Sequence, residues 1–445
     1  MKIRFNRSMK LILLATAIME FVFSLNFGQK SVHAYRGGPD PSRTGAPALG
    51  AVPVELTCNS AGCHAGNSLN NATGTFQILD VPASYTPGQT YTIRVSLSRP
   101  GNIRFGFQLV ALDQNGANAG TLATNDANTQ LIAADPGSWV GRNYIEHTRA
   151  GTAATATNQT IWTIKWTAPP TRGWKITFFA SGNAANNDSG ISGDFIYTTS
   201  AVMRPEVVTV NGATFSTTAP LAPSGIGSGF GTDLATATET ATDIDPVTPG
   251  IQLPTTLGGT TVKVRDSAGI ERNAGLFYID PGQVNYLIPD GTAVGTATVT
   301  TTASNGAIST GSVTIAAVSP GVFTAAANGS GVAAADIQRV NSGQSTYQRI
   351  FNGTNAVPIV WNNPTEEIYL NLYGIGVRGR SSLSNVSVMI GGVAQTVVSA
   401  AAQGVFAGLD QVNVLLNRNL AGRGNVDVIL MVDGRTANTV TLNFQ

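Results

Sequence analysis

Seven residues, Cys58-Asn-Ser-Ala-Gly-Cys63-His64, hold both cysteines of the chain and one of its three histidines. Of the other two, His33 lies in a leader-like N-terminus, so the chain beyond that leader carries only His64 and His147. Thiol, imidazole or redox chemistry has to be built from these four side chains. Three chemistries are open to them. A Cys58–Cys63 disulfide is the default for two cysteines in an exported domain; it closes a short loop worth about 2 kcal/mol by chain entropy and leaves His64 incidental. Covalent c-type haem would use both thiols as thioethers and the adjacent His64 as proximal ligand. His147 is then the candidate for the second axial position, and only this chemistry explains why His64 follows Cys63 directly. A zinc site of Cys58, Cys63, His64 and His147 is chemically acceptable, but an oxidising compartment disfavours free thiolates.

The ends and the composition say what surrounds this motif. Lys2, Arg4, Arg7 and Lys10, the apolar run Leu11 to Met19, and Val32-His33-Ala34 read as an export signal over residues 1–34, with cleavage before Tyr35. Glu20 interrupts the apolar stretch, which argues against the alternative of an uncleaved membrane anchor. No later segment is apolar enough to cross a membrane, so the sequence predicts a mature protein outside the cytoplasm, secreted or at a bacterial cell surface. Charged residues are 11% of the chain and the net charge is +1, which argues against nucleic acid as a partner, because phosphate neutralisation needs clustered Lys and Arg.

The elements that would position the motif are strands. The chain shows no sustained 3.6-residue apolar period, and its Gly, Ala, Thr, Ser, Asn and Val content suits short strands and polar turns. The expected fold class is all-β: a signal peptide followed by three antiparallel β-sandwiches. Residues 35–57 read as an irregular Pro- and Gly-rich arm. Tyr91 to Leu97 alternates like a half-buried strand, and Phe105 to Leu112 is continuously apolar, as in a sandwich centre. Ile161 to Trp166, Trp174 to Phe179 and Phe195 to Tyr197 complete a first sandwich over residues 35–205. Trp162, Trp166 and Trp174 fall on strand patterns and are expected in its core.

The remainder is a duplication. Gln283-Val-Asn285 recurs as Gln411-Val-Asn413 and Val313-Thr-Ile315 as Val440-Thr-Leu442, with Phe277 matched to Phe406. Two immunoglobulin-sized sandwiches are expected, over residues 206–318 and 319–445, with the seam near Val318-Ser-Pro320-Gly321. The repeated Gln and Asn share one strand face; they read as an amide pair bonding loop backbone, the rival being a repeated ligand contact. Gly374-Ile-Gly376-Val-Arg-Gly379 is a literal G-x-G-x-x-G, but a strand rather than a helix is expected after it, so it lacks the helix a dinucleotide needs. Asn186 to Asp194 offers clustered oxygens, yet reads as a turn rather than a calcium loop. No nucleophile elbow or carboxylate pair at glycosidase spacing is legible.

These residues resemble two families. Residues 35–203 resemble the bacterial relatives of the Reeler domain, the choice-of-anchor V domains. The likeness rests on Thr44-Gly-Ala-Pro47, Cys58…Cys63-His64, Tyr85-Thr-Pro-Gly-Gln-Thr-Tyr91, Phe105-Gly-Phe-Gln-Leu109, Glu146-His-Thr148 and Ala180-Ser-Gly-Asn-Ala-Ala-Asn186. This chain has four residues between its cysteines where many such domains have two. Residues from about Val207 onward resemble the C-terminal sandwich module of secreted Acidobacterial (Solibacter-type) proteins, through Ala222-Pro-Ser-Gly-Ile226, Leu253-Pro-Thr-Thr-Leu-Gly-Gly259, Pro281-Gly-Gln-Val-Asn285, Ser319-Pro-Gly-Val-Phe323 and Gln411-Val-Asn413. The resemblance implies secreted or surface-displayed β modules without a known enzyme activity, Reeler domains being associated with extracellular matrix and adhesion. The expected function is an exported, non-catalytic protein for extracellular or cell-surface binding, with an unidentified ligand and no cofactor. The alternative is an extracytoplasmic electron-transfer protein with one haem c at Cys58 and Cys63.

Overall fold

The computed structural model describes residues 35–59, 63, 64, 66–134, 137, 139, 141–188, 190–242 and 253–445. The export signal expected over residues 1–34 lies outside the described residues. The described chain is all-β; helix is confined to three 3-10 turns, Ala150–Thr152, Leu383–Asn385 and Arg418–Leu420. None of its helices is long and apolar enough to cross a membrane. It forms two compact units, which divide at Met203/Arg204 apart from the short segment Ala83–Thr86, which clusters with the second.

In chain order the first ten strands are β1 (Thr75–Leu79), β2 (Ser84–Tyr85), β3 (Thr90–Ser98), β4 (Arg104–Leu112), β5 (Thr121–Thr124), β6 (Thr129–Ala133), β7 (Asn143–His147), β8 (Gln159–Thr167), β9 (Ile176–Ala185) and β10 (Phe195–Pro205). One sheet of the first unit runs β1-β3-β8-β5, and the facing one runs β10-β9-β4-β7-β6. Side chains of a strand alternate between faces. The inward set includes Phe105, Phe107 and Leu109 of β4, Trp162, Ile164 and Trp166 of β8, and Phe178 and Ala180 of β9, all buried. Phe107 packs on Trp162 with ring centroids 4.5 Å apart, and Phe178 meets Trp166 edge-on at 5.2 Å, tying the two sheets together. Each buried indole keeps its N–H satisfied, Trp162 on the Gly151 carbonyl and Trp166 on that of Ala119, both at 2.8 Å. Trp174 departs from expectation: β9 begins only at Ile176, after the turn set by Pro169 and Pro170, and Trp174 is half exposed.

β4 is buried along nearly its whole length on both faces. The expected irregular arm supplies the cover. Ala46 packs into an apolar cluster with Val110, Leu112 and Tyr144 on the side of the second sheet away from the sandwich core. Beside this cluster the arm is fastened by charge. Glu55, almost fully buried, takes Arg142 Nη1 at 2.5 Å, the Tyr144 hydroxyl at 2.7 Å and Thr44 Oγ1 at 2.5 Å. A buried ion pair holds best when its remaining groups are also satisfied; both Glu55 oxygens are, while Arg142 Nη2 is buried without a partner.

The second unit contains two hydrophobic cores, one from Val207 through Ile315 and one from Val318 through Phe444. The duplication in sequence is a duplication of pairing order. In the first copy Ile226–Phe230 pairs with Gln283–Leu287, which pairs with Gly275–Ile279; in the second, Glu367–Ile375, Asp410–Leu415 and Val393–Ala402 take the same places. Likewise Thr260–Arg265, Gly295–Thr302 and Ile308–Ile315 correspond to Val386–Ile390, Gly424–Val432 and Val440–Phe444. Each copy carries one β-bulge at the same place, skipping Phe277 in one and Val398 in the other. The counterpart of Phe277 is therefore Val398; Phe406 lies in the loop before Asp410–Leu415. The repeated amides bond each other rather than loop backbone: Gln283 Nε2 donates to Asn285 Oδ1 and Gln411 Nε2 to Asn413 Oδ1, both at 2.8 Å. In the G-x-G-x-x-G stretch the backbone N–H groups of Val377 and Arg378 are taken by the Asp410 carboxylate, so they offer nothing to a phosphate.

Candidate functional site

Cys58, Cys63, His64 and His147 come from three segments that converge on the outer face of the second sheet. That face is read from the β4–β9 ladder, where Gln108 stands opposite Ser181 and Gly106 opposite Asn183. The arm ends at Cys58, whose backbone N–H reaches Ser181 Oγ at 3.4 Å. His64 N donates to the Cys58 carbonyl at 3.1 Å. Cys58 is buried and Cys63 half-buried, and both are free thiols. Burial pushes the Cys58 thiol up to about 11, with the charge of nearby Cys63 acting in the same direction and the Ser181 hydrogen bond against it. Cys58 is thus held as S–H, a slow partner in thiol–disulfide exchange, where the thiolate attacks.

His64 is oriented on both sides. Its Nδ1–H donates to Asp194 Oδ2 at 2.6 Å, and Asp194 is almost completely buried. On the other side the Asn183 amide donates to Nε2 at 3.2 Å. The carboxylate fixes the tautomer that leaves a lone pair on Nε2. Asn183 Oδ1 is buried without a partner, as is Arg104 Nε two residues before Gly106 on β4.

His147 ends β7 and sits over Gly106, the cross-strand partner of Asn183. Its ring passes where a side chain at Gly106 would be: a Cβ there would come within 2.6 Å of Cε1. Nδ1 lies 3.0 Å from the backbone N of Phe107 and 3.1 Å from its carbonyl O. Burial is the main cause that brings its pKa down to about 4, with His64 close enough to contribute. The ring is therefore neutral at physiological pH. His147 lies over Gly106 and His64 bonds Asn183, the cross-strand partner of Gly106, so both imidazoles lie on the same face of the sheet.

A polar row adjoins them. Gln108 Nε2 donates to Glu146 Oε2 at 2.9 Å and to the Asp40 carbonyl at 3.0 Å, while Gln108 Oε1 accepts from Arg43 N at 2.7 Å. Burial raises Glu146 to about 7 despite its bonds from Gln108 and Gln130. Among the described residues no three His, Cys, Asp or Glu side chains are disposed to hold a bare metal ion.

All four sequence-derived site residues thus meet on one face. Those that orient them were not foreseen. Asp194 read only as a turn residue; the turn does exist, with Asp194 Oδ1 accepting from Asn186 N at 2.8 Å, and its other oxygen holds His64. Ser181 and Asn183 carried a usable signal. They are polar and share parity with Phe179, and Ser181 is fully buried on that face, where a buried polar side chain needs a partner from whatever covers the sheet.

Residues 56–186 match the family model of the Reeler domain. Among solved structures the chain is similar to the Reelin-N domain of F-spondin, at 23% identity, covering 31% of this chain and 91% of that one with a TM-score of 0.21. It is also similar to the human F-spondin reeler domain, at 24% identity, covering 31% of this chain and 94% of that one, again with a TM-score of 0.21. No curated protein matches the chain. The N-terminal domain is Reeler-like, and it is the domain that carries the site.

Proposed function

With a Reeler-like domain over residues 56–186, we propose that the chain is an extracytoplasmic, non-catalytic β-sandwich protein that attaches to or recognises an extracellular or cell-surface ligand. The single observation that carries this reading is the Reeler match, since that domain type belongs to extracellular proteins. The leader-like residues 1–34 point the same way. The non-catalytic part is supported by how the imidazoles are used: His64 is held between Asp194 and Asn183, and His147 is bonded to the Phe107 backbone. The two sandwiches proposed for residues 206–318 and 319–445 serve as scaffold in this reading. Its test is equilibrium binding of the purified chain to intact cells, immobilised glycans and matrix preparations. Saturable binding to one of them is expected; absence of saturable binding to all three refutes the reading.

A second reading, electron transfer outside the cytoplasm, is favoured by a different observation. It is supported by His64, which follows Cys63 in sequence, and His147, 83 positions away, lying on the same face of one sheet.

A further inference from the structure

We propose that the second copy of the duplicated unit binds a neutral oligosaccharide across Tyr347, Tyr369 and Tyr373, on the outer face of the sheet formed by Gln344–Arg349, Ala335–Asn341, Glu367–Ile375 and Asp410–Leu415. This goes beyond the Reeler-based reading, in which that copy is scaffold.

The duplication supplies its own control. Phe230 stands opposite Gln283 as Tyr373 stands opposite Gln411, Ser228 opposite Asn285 as Asn371 opposite Asn413, and Ile226 opposite Leu287 as Tyr369 opposite Leu415. In the first copy the loop at Gly408 covers this face: a Cβ on Gly408 would come within 2.7 Å of Ile226 and 2.9 Å of Leu287. In the second copy the two bulky positions are tyrosines, both partly exposed. A further edge strand, Gln344–Arg349, adds Tyr347, which is 68% exposed. Solvent alone does not ask for tyrosine, since the outward residues of Gly295–Thr302 in the first copy are Thr296, Thr298 and Thr300.

Register sets the three rings around a polar strip. Asn371 lies opposite Asp336 on one side and Asn413 on the other. Tyr369 and Tyr373 flank Asn371 on the same strand face, about 13 Å apart, and Tyr347 stands two strands from Tyr369, about 10 Å away. That span suits a run of sugar rings rather than one. The phenols are held in place: Tyr373 donates to Asp336 Oδ2 at 2.7 Å and Tyr369 to Glu367 Oε2 at 2.9 Å. Burial and Asp336 hold the Tyr373 hydroxyl above its usual range, and Tyr347 is near enough for its charge to add to this.

A sugar ring offers C–H groups on its faces and hydroxyls around its rim. Tyrosine rings suit the first, and amides, which both donate and accept, suit the second. The strip has capacity unspent. Asn371 is only 5% exposed, yet its Oδ1 is buried without a partner, and such an atom calls for one. Gln411 Nε2 donates to Asn413 Oδ1 at 2.8 Å, which fixes both amides and leaves Gln411 Oε1 and Asn413 Nδ2 for a ligand. Charge selects a neutral one. Asp336 spends Oδ1 on Asn371 Nδ2 at 2.6 Å and Oδ2 on Tyr373, and Arg349 stands opposite it in register.

The test is isothermal titration of the full chain with cellohexaose, xylohexaose and maltohexaose, alongside a proline-rich decapeptide, since such peptides also dock on aromatic surfaces. Saturable binding of at least one hexasaccharide is expected, with a Kd below about 1 mM. Tyr347→Ala changes an exposed side chain on an edge strand and should weaken that binding about tenfold, while Thr298→Ala in the first copy should leave it unchanged. If Tyr347→Ala does not fold, Asn413→Ala should weaken binding in its place. Binding of the peptide alone, no binding of any hexasaccharide, or hexasaccharide binding unmoved by Tyr347→Ala and Asn413→Ala overturns the inference. Attachment to cells or matrix that persists in Tyr347→Ala belongs to the Reeler-based reading, so the two fail separately.

Discussion

Replacing Gly106 by alanine tests whether His147 is locked over β4. The added methyl would stand 2.6 Å from Cε1 of His147, 3.0 Å from Nε2 and 3.1 Å from Nδ1. These are atoms of a rigid ring that is only 6% exposed, so the ring must leave its place. Overpacking of this kind costs about 1–3 kcal/mol, and the lost hydrogen bond to Phe107 adds about 1 kcal/mol. Gly106 has no left-handed φ, so alanine returns about 0.4–1 kcal/mol by restricting the unfolded chain. The net expectation is a loss of about 2 kcal/mol in the first unit. With a urea m-value of about 2 kcal/mol/M, its midpoint falls by about 1 M. The assay is urea unfolding followed by the fluorescence of the buried Trp162 and Trp166. In a His147→Ala background the obstacle is gone, and Gly106→Ala should be neutral or slightly stabilising, which gives a coupling of about 2 kcal/mol in the double-mutant cycle. The reasoning is refuted if Gly106→Ala leaves the midpoint unchanged in the wild-type background, or costs the same in both.

Three further expectations concern neighbouring features. Arg142→Met strips Glu55 of its buried counter-charge and should cost about 3–5 kcal/mol; limited proteolysis should then cut the arm near residues 40–56, and a cleavage pattern like that of the wild type would contradict the clamp. Glu146, raised to about 7, binds its proton more tightly folded than unfolded. Its contribution is complete below about pH 4.5 and is lost as pH rises through about 7, up to about 3 kcal/mol. His147, lowered to about 4, works in the opposite sense: its contribution is complete above about pH 6.5 and is lost as pH falls through about 4. The two largely offset each other in the wild type. Glu146→Gln should therefore gain stability relative to the wild type between about pH 4.5 and 7 in unfolding curves; a difference that stays flat with pH would show that Glu146 titrates normally. In the second unit, Asp410→Asn leaves the Arg378 guanidinium without its carboxylate and weakens the cap on the Val377 and Arg378 N–H groups. A loss of about 2 kcal/mol is expected, seen as a shift confined to the transition reported by Trp361.

The alternation in Tyr91 to Leu97 and the turn residues between strands were enough to read an all-β chain, because a strand half-buried in a sandwich must alternate. The repeat of Gln283-Val-Asn285 at Gln411 was enough to read a duplication, because one unit copied keeps its pairing order. Matching Phe277 to Phe406 went astray for a physical reason: the stretch from the bulged strand to the Gln-Val-Asn strand is longer in the second copy, so the near-constant sequence offset lands on Phe406 in the loop before Asp410–Leu415 while Phe277 aligns in space with Val398. The exposure of Trp174 was hidden because the apolar–polar alternation it shares with Ile176 and Phe178 extends upstream of the residue at which β9 begins.

Cys58, Cys63, His64 and His147 were visible as the only thiols and imidazoles beyond the leader. That much is composition, and the sequence determined it alone. What the sequence could not hold is that they meet. A strand's outer face becomes an interior only when a distant segment covers it, and the arm that covers β4 has no periodicity to announce its docking. The register of β4 on β9 sets Gly106 beside Asn183, and with it His147 beside His64. Asp194 gained its role by the same route, from a turn 130 residues away from the histidine it orients. Residue types set which chemistry was available; long-range strand pairing decided where it would be assembled.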